Sequence, residues 1–127
     1  MNKRPAAHLL GYLEVTPADK PDIFTGNADL YGAMGVYGGH LLGQGLNAAL
    51  CTVDEPKTTH SFHAYFLRRC DPADKLQYQV QRLRSGKWGD TRSVAAVQNN
   101  QQVFHMIASF KVPESGDEHQ KTMPPTE

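Results

Sequence analysis

Residues 39–53 constrain the fold more than any other stretch of the chain. From His40 to Val53 the sequence reads as a helix in which Leu41, Leu42, Leu46, Ala48, Ala49 and Leu50 spread around most of the circumference. A helix that is apolar nearly all round is a buried helix, not one lying on a surface. Gly39, Gly43 and Gly45 sit in or beside it, and each would lower helix propensity by about 1 kcal/mol if exposed. Their presence predicts a surface wrapped closely around the helix. Asp54-Glu55-Pro56 then ends it.

The segments downstream supply such a surface. Thr58–Arg69 is rich in aromatic residues. Leu76–Leu83 alternates, with Leu76, Tyr78 and Val80 on one side and Gln77, Gln79 and Gln81 on the other. Gly86-Lys87-Trp88-Gly89 reads as a turn, and Thr91–Gln98 as a strand. Asn99-Asn100 reads as a tight hairpin turn before Val103–Val112, where Phe104, Met106, Ala108 and Phe110 alternate with His105, Ile107, Ser109 and Lys111. Upstream, Leu9–Val15 is an apolar run that fits a strand or a helix end, and Ile23–Asn27 reads as a short strand. Asp29–Gly39, punctuated by Gly32, Gly35, Gly38 and Gly39, reads as a loop. A buried helix followed by an antiparallel meander predicts an α+β domain whose sheet curls around one central helix. The expected boundaries are a single domain over residues 1–112 and a polar tail or linker over 113–127.

A chain of 127 residues holds one domain, and about two-thirds of its unfolded surface is buried on folding. Thirteen Lys and Arg balance thirteen Asp and Glu, which argues against a nucleic-acid partner, since such proteins carry a basic excess. The stretch after Arg4 is interrupted by His8 and closed by Glu14, so the apolar core of a signal peptide is not expected. No run approaches the roughly 20 apolar residues of a membrane span. Cys51 and Cys70 lie outside any C-x-x-C pattern and read as reduced thiols of a cytoplasmic-type compartment.

Candidate chemistry is concentrated at Gly38-Gly39-His40, which opens the helix. First-turn amides lack intrahelical acceptors and sit in a positive dipole field, and glycines let a ligand approach them. Such a start suits a phosphate or a developing oxyanion, although two glycines also serve a tight turn. His60 and His63 are three apart, which on a strand places them on opposite faces, so no metal site is expected. His63 is a candidate general base. Asp29 is the acidic residue expected near the helix start, or else a turn former. Seven basic residues from Arg68 to Arg92 face only Asp71, Asp74 and Asp90, and a solvated strand edge or a phosphate patch would explain them. G-x-S-x-G, H-E-x-x-H and the phosphate-loop motifs do not occur.

Five ordered segments resemble a known family. Tyr37-Gly38-Gly39-His40-Leu41-Leu42-Gly43-Gln44-Gly45-Leu46-Asn47-Ala48-Ala49 is similar to the F-G-G-Q-x-x-G-Q-A-L-x-A-A helix of the type II, medium- and long-chain acyl-CoA thioesterases. His60-Ser61-Phe62-His63-Ala64-Tyr65-Phe66-Leu67-Arg68 resembles their H-S-F-H-x-Y-F-L-R strand, and Arg92–Gln98 their R-x-V-x-A-x-Q strand. Ala108-Ser109-Phe110 and Glu118–Pro124 resemble the A-S-F strand end and the E-H-Q-x-x-M-P exit. His40 departs from the family's Gln.

The resemblance implies a hotdog fold, an antiparallel sheet wrapped around one long helix, with this chain matching the first of two fused units. It implies hydrolysis of fatty acyl-CoA to fatty acid and CoA without metal or cofactor, with Gly38, Gly39 and His40 against the substrate. It also implies that the Asp, Ser/Thr and Gln positioning the attacking water belong to the second unit, with Ser61 and Ser109 near the equivalents of the Asp and the Gln here. Neither hydroxyl replaces a carboxylate as a base. The alternative reading is a non-catalytic acyl-CoA-binding or assembly unit. Either way a homodimer or pairing with a second hotdog unit is expected, in the cytoplasm or alternatively the peroxisome.

Overall fold

A computed structural model describes residues 10–27 and 36–127. Six strands form one antiparallel sheet around the helix: β1 (Val15–Pro17), β2 (Ile23–Gly26), β3 (Thr58–Phe66), β4 (Leu76–Ser85), β5 (Gly89–Gln98) and β6 (Gln101–Lys111), with α1 at Gly38–Leu50 between β2 and β3. The spatial order is β1-β2-β4-β5-β6-β3. β4, β5 and β6 form the expected meander, but β3 lies at the far edge beside β6 instead of beside β4. Only pairing made this visible, since each strand's own pattern is the same in either place.

The alternation places side chains as read. Leu76, Tyr78, Val94, Ala96, Phe104, Met106, Ala108 and Phe110 are buried on the helix side of the sheet. Gly45 explains the close approach: a Cβ there would stand 3.2 Å from the Phe104 ring. Asn99 and Asn100 both take positive φ, 50° and 60°, the backbone of a two-residue hairpin whose twist matches the strands.

Several boundaries shift. The helix starts at Gly38, two residues before the expected His40, because both glycines join its first turn behind Tyr37. It ends at Leu50, and residues 51–53 turn away. β3 stops at Phe66 because Leu67 and Arg68 both donate backbone N–H groups to the Val103 carbonyl, at 2.9 and 3.2 Å. β4 runs on to Ser85 through an irregularity between Arg82 and Arg84. Residues 10–12 make a helical turn and Val15 opens β1, so the apolar run is divided between both alternatives. Of the expected loop Asp29–Gly39, residues 29–35 lie outside the described residues.

Burial of the helix is one-sided. His40, Leu41, Gln44, Gly45, Ala48 and Ala49 are buried, whereas Leu42, Leu46 and Leu50 are only half-buried. A single sheet covers one flank and leaves the other partly open.

The strand-edge reading of the basic stretch is also corrected. Arg82, Arg84 and Arg92 lie on β4 and β5, which are interior strands. Arg82 makes a bidentate pair with Asp22, at 2.8 and 3.0 Å. Arg92 is 1 % exposed. Its guanidinium donates to Thr52 Oγ1 (2.7 Å), the Thr52 carbonyl (3.0 Å), the Arg84 carbonyl (2.7 Å) and Asp90 (3.3 Å). These bonds tie the segment after the helix to the β4–β5 hairpin. They satisfy a charge that would otherwise be too costly to bury.

Candidate substrate groove and the buried polar core

The helix start opens onto a groove of about 510 Å³. Val36, Gly38, Leu41, Phe66 and Leu67 give it apolar walls, and Arg68, Arg69 and Cys70 complete the lining. Glycine at 38 is what leaves room, since a Cβ there would meet the Phe66 ring at 3.0 Å. No side chain caps the helix and its first turn holds no acidic residue, so nothing among the described residues of that turn neutralises the positive end of the dipole. Arg68 is held by donation to the Gln102 carbonyl at 2.7 Å. Arg68 and Arg69 are exposed and form a cationic rim. Cys70 is 3 % exposed. Burial, followed by the fields of Asp71 and Asp74, pushes its thiol up to about 11, so it stays neutral and acts as part of the wall.

The three residues expected at the site have different surroundings. Gly38 lines the groove. Gly39 lies under the Tyr37 ring, where a Cβ would fall 2.6 Å from Tyr37 Cε1. The backbone N–H of His40 is already bonded to the Tyr37 carbonyl at 3.0 Å.

The His40 side chain turns inward, and this role was missed in the sequence. Its Nε2 donates to the Asn27 carbonyl at 2.8 Å. The same carbonyl accepts from Gln44 Nε2 at 3.0 Å, and Gln44 also donates to the Tyr12 carbonyl at 2.7 Å. Tyr78 completes the network by donating its hydroxyl to Gln44 Oε1 at 2.7 Å. Desolvation lowers the His40 pKa despite its bond to Asn27, and burial raises that of Tyr78. His40 is therefore a neutral structural donor that fixes the helix start against the segment after β2. A histidine and a glutamine four apart on an apolar helix were the available signal, because both must be satisfied when buried.

The remaining candidates do not converge on the groove. Ser61 and Ser109 are direct cross-strand partners on β3 and β6, on the side away from the helix. Ser61 lies five residues before Phe66, about 16 Å along the strand from the groove wall. His63 stands on the same outer side with its ring 4.8 Å from that of Tyr65. His60 falls at the irregularity between Thr59 and Ser61. Among the described residues, no three His, Cys, Asp or Glu side chains gather as a metal site would require. Asp29 lies outside the described residues. Cys51 is exposed, and both cysteines are free. No described helix is long and apolar enough to cross a membrane.

β3 forms the opposite extreme from the polar core. Along its nine residues only Ala64 is partly buried. Phe62, Tyr65 and Phe66 are 47, 63 and 55 % exposed, and Leu67 beyond it 46 %.

Residues 28–111 match a family model described as the acyl-CoA thioesterase N-terminal domain. Acyl-CoA thioesterase 2 of Haemophilus influenzae is 41 % identical over 102 residues, which are 80 % of this chain and 36 % of that protein. The crystal structure of the acyl-CoA thioesterase II TesB2 from Mycobacterium marinum superposes with a TM-score of 0.80 at 34 % identity, covering 94 % of this chain and 44 % of that one. A conserved protein with a hot dog fold from Alicyclobacillus acidocaldarius shares the fold at 16 % identity, with a TM-score of 0.77 over 91 % of this chain and 43 % of that one. The chain thus has the hotdog fold, and it spans about a third of the length of the relatives it matches in sequence.

Proposed function

The chain belongs to the acyl-CoA thioesterase N-terminal domain family, and from that premise we propose that it is the first hotdog unit of an enzyme hydrolysing fatty acyl-CoA. The observation that carries this reading is the groove at Gly38, whose apolar walls and cationic rim match an acyl chain joined to a polyanionic carrier. In the reaction water attacks the thioester carbonyl carbon, the C–S bond breaks, and the CoA thiolate leaves and takes up a proton. Gly38 and Gly39 would present the uncapped helix start to the substrate, and His40 would hold that start in place from inside. Oxyanion donors of this kind are worth about 3–4 kcal/mol each in the barrier. The proposed domain covers residues 1–112, with 113–127 as a linker toward a second unit.

The exposed β3 edge supports a second reading for the chain on its own. An edge strand carrying Phe62, Tyr65 and Phe66 is a pairing surface, and a second hotdog unit or a second copy of this chain would cover it. In that case this unit binds and assembles, and the partner supplies the group that activates water. The proposed location is the cytoplasm, with the peroxisome as the alternative.

Thiol release from medium- and long-chain acyl-CoA by the purified chain, with its mass in solution measured alongside, separates the readings. Turnover well above the buffer rate from a dimer assigns a complete site to this chain. Folded, associated protein without turnover assigns the chemistry to a second unit. Failure of both turnover and acyl-CoA binding removes the groove from the reading.

A further inference from the structure

The tip of the β4–β5 hairpin carries a second concavity, of about 340 Å³. It touches β6 at Ser109, five residues and about 16 Å from Phe104 beside the first groove. Arg84, Thr91 and Ser109 are registered partners across β4, β5 and β6, so they form one row on the face turned away from the helix. Lys87 and Trp88 stand at the end of that row, with Lys87 Nζ 4.9 Å from the ring centroid. Trp88 remains 69 % exposed, so it adds little to the core and leaves aromatic surface open to solvent beside Lys87.

Charge beneath the hairpin has the same sign. Lys57 and Arg92 share the buried carboxylate of Asp90, at 2.8 and 3.3 Å. This cluster has two positive charges against one negative, in a setting where screening is weak. Asp90 is the acidic residue lining the concavity. Its oxygens are engaged, since Oδ1 also accepts the Gly86 N–H at 3.0 Å.

An aromatic plane, two exposed cations and a pair of hydroxyls around one concavity match the needs of a nucleoside phosphate. A base stacks on the ring, phosphate oxygens meet guanidinium and ammonium, and sugar or phosphate oxygens meet the hydroxyls. We propose that the β4–β5 hairpin tip binds a nucleoside phosphate, with the base on Trp88 and the phosphates on Arg84 and Lys87. Free nucleotides and the nucleotide end of CoA both carry this chemistry. The proposal rests on no part of the hydrolase reading, and its test does not measure hydrolysis.

Trp88 is the only tryptophan in the chain, so intrinsic fluorescence reports on this site directly. ADP, CoA, pantetheine and inorganic phosphate are titrated separately into the wild-type chain and into the double variant R84Q/K87Q, whose altered side chains are exposed. ADP and CoA are expected to quench saturably with dissociation constants below about 1 mM, and the double variant to weaken ADP by at least about tenfold, with an unchanged circular dichroism spectrum. CoA binding tighter than ADP by more than that factor assigns the site to CoA, and equal affinities assign it to free nucleotide. Absence of saturable quenching by ADP overturns the proposal, as does unchanged ADP affinity in the double variant. Equal quenching by phosphate or pantetheine overturns the nucleotide assignment.

Discussion

β5 and β3 both pair with β6, yet they experience different surroundings. β5 lies between two strands beneath the helix, and it buries Val94, Ala96, Arg92 and Asp90 alike. β3 carries residues at least as apolar, Phe62, Tyr65 and Phe66, and leaves all three largely exposed. Burial here follows position in the sheet more than residue type. The interior buries even a guanidinium once its hydrogen bonds are supplied, while the edge exposes phenyl rings that a second surface would cover. The first region is complete within the described residues; the second leaves apolar rings uncovered.

The largest test of this contrast removes the charged centre of the interior. Arg92→Ala leaves Asp90 with Lys57 as its one cation and takes the guanidinium donor from the Thr52 and Arg84 carbonyls, and should destabilise the chain by about 2–5 kcal/mol, read from urea unfolding. A loss below about 1 kcal/mol, within the range of ordinary substitutions, would mean that hydrophobic packing alone completes the interior. Tyr78→Phe comes next. It removes the hydroxyl bonded to Gln44 Oε1 and should cost about 1–3 kcal/mol.

The edge should respond in the opposite sense. Phe62→Ser should change the unfolding free energy of the monomer by no more than about 0.5 kcal/mol. The same substitution should weaken association measured by light scattering. Association that survives unchanged would place the partner surface elsewhere, with the half-buried helix flank at Leu42, Leu46 and Leu50 as the next candidate.

The smallest effect is a pH dependence. The folded pKa of His40 lies below 6.5, the ordinary value of the imidazole, because of burial. The unfolded chain therefore takes up the proton first, and this contribution is fully present above pH 6.5 and lost as the pH falls below it. Asp22 and Asp90 have folded pKa values lowered from 3.8, so their contributions fade only at more acidic pH. Stability should decline in the wild type as the pH falls below 6.5, and His40→Gln, which keeps a donor for Asn27, should flatten that decline. An equal slope in both proteins would remove His40 from the account.

Much of the fold was legible because its signals are local. Strand alternation from Leu76 and around Phe104 to Phe110 reports which side chains face the core, and the Asn99-Asn100 turn is written in two adjacent residues. The glycines of the helix announced a close approach that Gly45 makes against Phe104. The site was less legible. Gly38 marks a place for a ligand, but the walls at Phe66 and Cys70 come from segments 28 and 32 residues away. No local pattern joins them.

His40 shows where the division falls. The sequence by itself determined that a buried, glycine-bearing helix would be wrapped by an antiparallel sheet, because hydrophobic periodicity is fixed by residue order. Only the tertiary structure decided that the His40 ring turns toward Asn27, that Arg92 becomes the charged centre of the interior, and that β3 stands at the edge. Each of these depends on a partner distant in sequence, and a partner's position is set by how the whole sheet closes around the helix.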